Sequence, residues 1–274
     1  MSRVLSLSSV VLALAFTIQS QSAEAQVGNL REAVVKNHLE FRPNGDGPFP
    51  TLIAFPGCSG IAFEDRVQEA THPALAEDDR LFRSHYLRIS EQFAEAGYAV
   101  LLIHVHGAEG LVKACAGEIS HARIAQYIDE SVSWARGLDF VDSNRIHVIG
   151  WSMGGGGVLA WLHGTRPQAD VVQSAIAVYP GCEGHEPLTS RVPLLMLLGG
   201  SDDIALPSVC EGLVAASGAN AKIIVERYPG ARHGFDITDA PSVLDIGNGM
   251  TVGYQKDAAE ASWRRILAFL AEGP

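Results

Sequence analysis

The chain has 274 residues, of which 47% are hydrophobic and 19% charged. That is enough apolar material for a sizeable core and argues against a disordered chain. A formal net charge of −11 repels phosphate backbones and is not drawn to an anionic membrane surface, so neither nucleic acid nor a membrane is an expected partner.

Along the chain, the first segment reads as a targeting sequence. Arg3 supplies a weak positive start, residues 10–18 (VVLALAFTI) a short apolar run, and Ala23-Glu24-Ala25 an A-x-A cleavage site. The run is shorter than the roughly 18–20 residues a spanning helix needs. Residues 1–25 are therefore expected to be a cleavable signal peptide and 26–274 a single domain, secreted or periplasmic. An uncleaved anchor is the alternative. Loss of Arg3 and Glu24 together leaves the net charge at −11.

The mature part alternates. Residues 51–55 (TLIAF) read as a buried strand, 86–96 as an amphipathic helix closed by Gly97, and 98–103 (YAVLLI) as a second buried strand. Residues 122–136 carry Ile124, Ile128 and Val132 at helical spacing. Next come a strand at 145–149 (RIHVI), a helix at 153–163, strands at 171–178 and 193–198, a helix at 206–217, a strand at 222–227 and a terminal helix at 255–271. Continuous apolar strands separated by helices predict an α/β fold, with a mostly parallel central sheet covered by helices on both faces. Residues 60–84 have no clear period and read as a long excursion.

Four cysteines, Cys58, Cys115, Cys182 and Cys210, all fall in the mature part. In an oxidising compartment the expected pairs are Cys58–Cys115 and Cys182–Cys210, each tying loops on one edge of the sheet. Free buried thiols are the alternative. Without a C-x-x-C spacing, and with no third ligand beside His104 and His106, no metal site is expected. His106 is expected to line a pocket.

The stretch "IGWSMGGGG", residues 149–157, holds G-x-S-x-G around Ser152. It joins a strand to a helix, which is the setting a nucleophile elbow requires. A serine at neutral pH needs a base. The strand at 193–198 is followed by "GGSDD" with Asp202 and Asp203, and the strand at 222–227 by "YPGARHGF" with His233. The order Ser, Asp, His is that of α/β-hydrolases. The expected roles are Ser152 as nucleophile, His233 as general base and then acid, and Asp202 as the carboxylate that orients His233. Asp203 stays open as its rival. The expected oxyanion donors are the backbone N–H groups of Met153, next after the nucleophile, and Cys58, in "FPGCSG" after the first strand. Such a site needs no cofactor.

From about residue 51 to its end, the chain resembles the dienelactone hydrolase family of α/β-hydrolases. "FPGCSG", "GWSMGG", "YPGC", "GGSDD" with Cys210 behind it, and "YPGARHGF" carry the resemblance. It implies the α/β-hydrolase fold and hydrolysis of a small-molecule ester or lactone. Secreted-type members look like G-x-x-D-D followed by a cysteine. Matching Cys210 to that cysteine places the triad acid at Asp202, whereas matching Pro207 favours Asp203. The namesake enzymes carry a cysteine at the elbow. Ser152 departs from that pattern and shifts the expectation toward a general serine esterase acting through an acyl-enzyme. "GWSMGGGG" is also similar to the elbow of secreted cutinases and polyester hydrolases, over that stretch alone. A peptidase or amidase on the same triad, and a non-catalytic binding module on a hydrolase scaffold, are the remaining alternatives.

Overall fold

The computed structural model describes residues 29–61, 77–163, 166–218 and 221–272. The expected signal peptide, and residues 62–76 of the excursion, lie outside the described residues. Strands β1 (His38–Phe41), β2 (Phe49–Phe55), β3 (Ala99–Ile103), β4 (Val141–Trp151), β5 (Val172–Val178), β6 (Leu194–Gly199) and β7 (Ile223–Tyr228) form one sheet in the order β1-β3-β2-β4-β5-β6-β7. Every neighbouring pair is parallel except β1 with β3. The mostly parallel sheet of an α/β-hydrolase is thus present. Strand β1 was not foreseen, because four residues (HLEF) at a sheet edge are too short to show a period.

The helices are α1 (residues 29–36), α2 (Glu77–Glu95), α3 (Val105–Ala108), α4 (His121–Ala135), α5 (Met153–Leu162), α6 (Pro207–Ala216) and α7 (Lys256–Glu272). Helix α2 begins well before Tyr86, where the apolar spacing first becomes legible. Ser120 caps α4 by accepting the Arg123 N–H at 3.1 Å.

The strands sort their side chains by parity. Ile53, Phe55, Leu101, Ile103 and Val148 face Ile124 and Ile128 of α4 and Val158 of α5. Leu52, Ala54, Val100, Leu102 and Ile149 face Tyr86 and Phe93 of α2 and Ile266 and Phe269 of α7. A strand buried on both faces needs apolar residues at both parities, which is why these segments are continuous apolar runs. Each large side chain so buried contributes roughly 1.5–3 kcal/mol. From β2 the chain steps to β3 on one side and later to β4 on the other. The crevice beyond the carboxyl ends of β2 and β4 is therefore the topological switch point, where open α/β sheets place their sites.

A separate antiparallel hairpin, β8 (Leu244–Gly247) and β9 (Met250–Val252), was also not foreseen. Its two-residue turn is Asn248-Gly249, with φ of 55° and 75°, the left-handed pair a type I′ turn demands. Asn-Gly between the alternating apolar pairs Leu244/Ile246 and Met250/Val252 was the signal that could have revealed it.

Candidate active site

Strand β4 ends at Trp151 and α5 begins at Met153, so Ser152 alone makes the turn. Its backbone sits at φ 49° and ψ −114°, a strained conformation for a residue with a Cβ. Two hydrogen bonds hold it there: its N–H to Val178 O at 2.9 Å, and the Gly156 N–H to its own carbonyl at 2.9 Å. The turn is tight enough to require glycine on both sides. A Cβ at Gly150 would fall 2.3 Å from Gly154 O, and one at Gly154 would fall 2.2 Å from Phe55 O.

Ser152 Oγ–H meets His233 Nε2 at 2.8 Å, and His233 Nδ1 meets Asp202 Oδ2 at 2.8 Å. An ionised carboxylate only accepts, so Nδ1 carries the ring proton and Nε2 is left to accept from the serine. Asp202 and His233 are both buried, at 4% and 6% exposure. The second oxygen of Asp202 accepts the N–H groups of Ile204 and Ala205 at 2.9 and 2.8 Å, so its direction toward the imidazole is fixed from behind. The two loops that deliver Asp202 and His233 are tied to each other: Gly200 N–H donates to Tyr228 O and Ser201 N–H to Ala231 O, each at 2.8 Å.

Asp203 does something else. It accepts from Thr251 N–H at 2.8 Å and from Thr251 Oγ1–H at 2.6 Å, with Arg232 Nη1 at 3.7 Å. Arg232 also donates to Thr251 Oγ1 at 2.7 Å. This cluster fastens the β8–β9 hairpin to the loop that carries His233. The Gly253 N–H to His233 O bond of 3.0 Å adds to the fastening.

The elbow opens on a cleft of about 340 Å³. Cys58, Tyr86 and Tyr179 border it near Ser152, and Ile204, Ile246, Met250 and Val252 give it an apolar side. Of the two expected oxyanion donors, Met153 is the first residue of α5, so its amide is one of those a helix leaves without an internal partner. Cys58 is the second residue of a turn closed by Gly60 N–H to Gly57 O at 3.1 Å, which leaves the Cys58 amide outside the turn's own hydrogen bond. The expectation that His106 lines the pocket needs correction. It is fully buried, with Nε2 donating to Cys58 O at 3.1 Å, so it braces the loop from beneath.

Disulfides join Cys58 to Cys115 and Cys182 to Cys210. The first borders the cleft and closes a span of 57 residues. Replacing Cys58 and Cys115 together by serine is expected to lower stability by about 2–4 kcal/mol, read as a shifted guanidinium midpoint. kcat should fall with it, because Cys58 carries an expected oxyanion amide.

Tyr179 and Asp236 belong to the site, yet sequence reasoning missed them. The Tyr179 ring packs on His233, with centroids 4.7 Å apart, and its hydroxyl donates to Asp236 Oδ1 at 2.7 Å. Trp151 Nε1–H donates to Asp236 Oδ2 at 3.0 Å, and His85 Nε2 lies 3.4 Å from the same oxygen. Burial by itself would raise the Asp236 carboxyl; the His85 charge and these donors outweigh it and hold the group below the usual carboxylate range. "YPGC" and "HGFD" contain both residues, but nothing local links segments 57 positions apart.

A strained serine at a switch point, hydrogen-bonded to a buried histidine that a buried aspartate holds in turn, both from loops along the same sheet edge, defines a hydrolase of the α/β class. The dienelactone hydrolase family model matches residues 81–273. The chain belongs to that family, which makes it a carboxylic-ester hydrolase. It is 20% identical over 284 residues to a protein of Methylorubrum extorquens named "Putative carboxymethylenebutenolidase", covering 94% of this chain and 88% of the other. A protein of the same name from Escherichia coli K12 is 24% identical over 250 residues, covering 83% and 78%. Among solved structures, the "Putative Dienelactone Hydrolase" of Klebsiella pneumoniae superposes with a TM-score of 0.63 at 21% identity, covering 85% of this chain and 92% of that one.

Proposed function

We propose that this chain is an exported serine esterase, with residues 1–25 as a cleaved leader and 26–274 as one catalytic domain. Ser152 is the nucleophile, His233 the general base and then acid, and Asp202 the carboxylate that fixes the imidazole. The hydrogen-bonded run from Ser152 through His233 to Asp202 supports these roles. Two disulfides fit an oxidising destination, and no helix among the described residues is long and apolar enough to cross a membrane.

Ser152 Oγ attacks the ester carbonyl carbon while its proton passes to His233 Nε2. The tetrahedral intermediate collapses, the ester C–O bond breaks, and the leaving alcohol takes the proton from His233. Water then repeats the sequence on the acyl-enzyme and releases the acid. Cys58 and Met153 N–H groups hold the negative oxygen. The substrate is a small ester or lactone. Carboxymethylenebutenolidase, the name borne by two relatives, denotes a lactone-opening activity that fits this chemistry.

Hydrolysis of p-nitrophenyl esters from acetate to octanoate tests the reading. A cleft of about 340 Å³ with an apolar wall of Ile204, Ile246, Met250 and Val252 has room for acyl chains of this series, so turnover within it is the expected result. A flat absence of hydrolysis across acyl esters and simple lactones would overturn it.

A further inference from the structure

The steps above leave Tyr86 unused. It lies on α2, is 2% exposed, and borders the cleft beside Ser152, Cys58 and His233. Its hydroxyl oxygen accepts the Gly57 N–H at 2.9 Å. Among the described residues its own proton meets no acceptor, so it remains available to whatever enters the cleft. Burial pushes the phenol well above its ordinary range, so the group stays a donor at any working pH. The Gly57 N–H polarises it further, since a hydroxyl that accepts one hydrogen bond donates a stronger one.

Position and direction are both fixed. Tyr86 packs edge-on against Trp151, with centroids 5.5 Å apart, and against His85 at 5.3 Å. A Cβ built on Gly57 would stand 2.8 Å from Tyr86 Oη and 3.3 Å from Ser152 Cβ. The phenol and the nucleophile therefore flank the same point, at the start of the loop that holds the Cys58 amide. A buried hydroxyl with a spare proton in such a place costs free energy unless a ligand oxygen takes that proton.

We propose that Tyr86 is a catalytic residue, its Oη–H donating to the oxyanion as a third donor beside the Cys58 and Met153 amides. The proposal rests on the serine-esterase reading of the same site. When Ser152 Oγ bonds to the carbonyl carbon, the π pair moves onto the carbonyl oxygen and the serine proton goes to His233. The Tyr86 proton is not transferred; it is shared more strongly with the oxygen as charge builds, and that difference lowers the barrier.

The test is Tyr86→Phe, which keeps the ring packing and removes the donor. Three readouts are compared with wild type: kcat and KM on the best p-nitrophenyl ester, the thermal midpoint, and the second-order rate at which a fluorophosphonate labels Ser152. Phosphonylation places charge on an oxygen in the same hole and needs no knowledge of the natural substrate. The expected result is a kcat lower by about 10²–10³-fold, KM within about twofold, and a parallel loss in labelling rate. Labelling at the wild-type rate overturns the proposal. So does a loss carried by raised KM with an early thermal transition, which would mean Tyr86 only holds the Gly57 loop. Ser152→Ala separates the two layers: labelling that persists there sinks the serine reading itself, and with it the premise of the Tyr86 role.

Discussion

Ser152→Ala is expected to lower kcat by about 10⁶-fold, to the residual rate that the oxyanion donors and substrate binding still supply. The hydroxyl is the only group the variant loses, and without it His233 has no proton to take from a nucleophile. His233→Ala should cost nearly as much, and the double variant little more, because the two act as one unit. Steady-state kinetics of the three purified variants check this; additive losses would mean that the pair does not work as a unit. The same position tests the strain in the turn. Ser152 holds φ 49°, a conformation glycine adopts with less penalty. Ser152→Gly should therefore be inactive yet melt above both wild type and Ser152→Ala. An unchanged midpoint would show that the elbow stores no strain.

Asp202→Asn is expected to cost about 10⁴-fold in kcat, while Asp203→Asn leaves kcat within about tenfold. The two residues are neighbours with different partners. Asp202 accepts from His233 Nδ1 at 2.8 Å; an asparagine amide there can donate to that nitrogen and place the proton on Nε2, where it blocks the serine. Asp203 binds Thr251 and Arg232, so its loss loosens the hairpin and should appear mainly in KM. Partial burial would raise the Asp203 carboxyl, but the Thr251 hydrogen bonds and the Arg232 charge outweigh it and hold it below the ordinary carboxylate range. A depressed folded value means the clamp is present above the unfolded value near 4 and is lost as pH falls through the folded one. KM should thus be independent of pH near neutrality, where the clamp is intact, and should rise only as pH falls through the folded value. Equal kcat losses in the two variants would refute this division of labour.

The elbow was legible because everything that makes it is local. Strand, serine, glycines and helix follow within "IGWSMGGGG", and His233 sits in an equally local "YPGARHGF". The Asp202 and Asp203 side chains could not be told apart by position alone, since both follow β6 and only three-dimensional direction separates their partners. The parallel strands announced themselves as apolar runs, whereas β1 and the β8–β9 hairpin are too short and too exposed to do so. Tyr179 and Asp236 were hidden for another reason: their bond spans 57 residues, and neither residue type is rare enough to suggest the other. Tyr86 looked like one more apolar residue on an amphipathic helix, because a periodic pattern says which way a side chain faces and nothing of what its far end touches.

The hairpin has two ends with different duties. Thr251, Val252 and Gly253 are stitched to Asp203, Arg232 and the His233 backbone, while Ile246 and Met250 reach the cleft from its far end. Between them, the Asn248-Gly249 turn touches neither the triad nor the clamp. The molecule is thus modular at this point: exchanging residues 245–250 for another two-stranded ribbon would redraw the wall that a substrate meets while the imidazole keeps its place. A directed-evolution library confined to those positions would explore substrate choice with the catalytic engine left running.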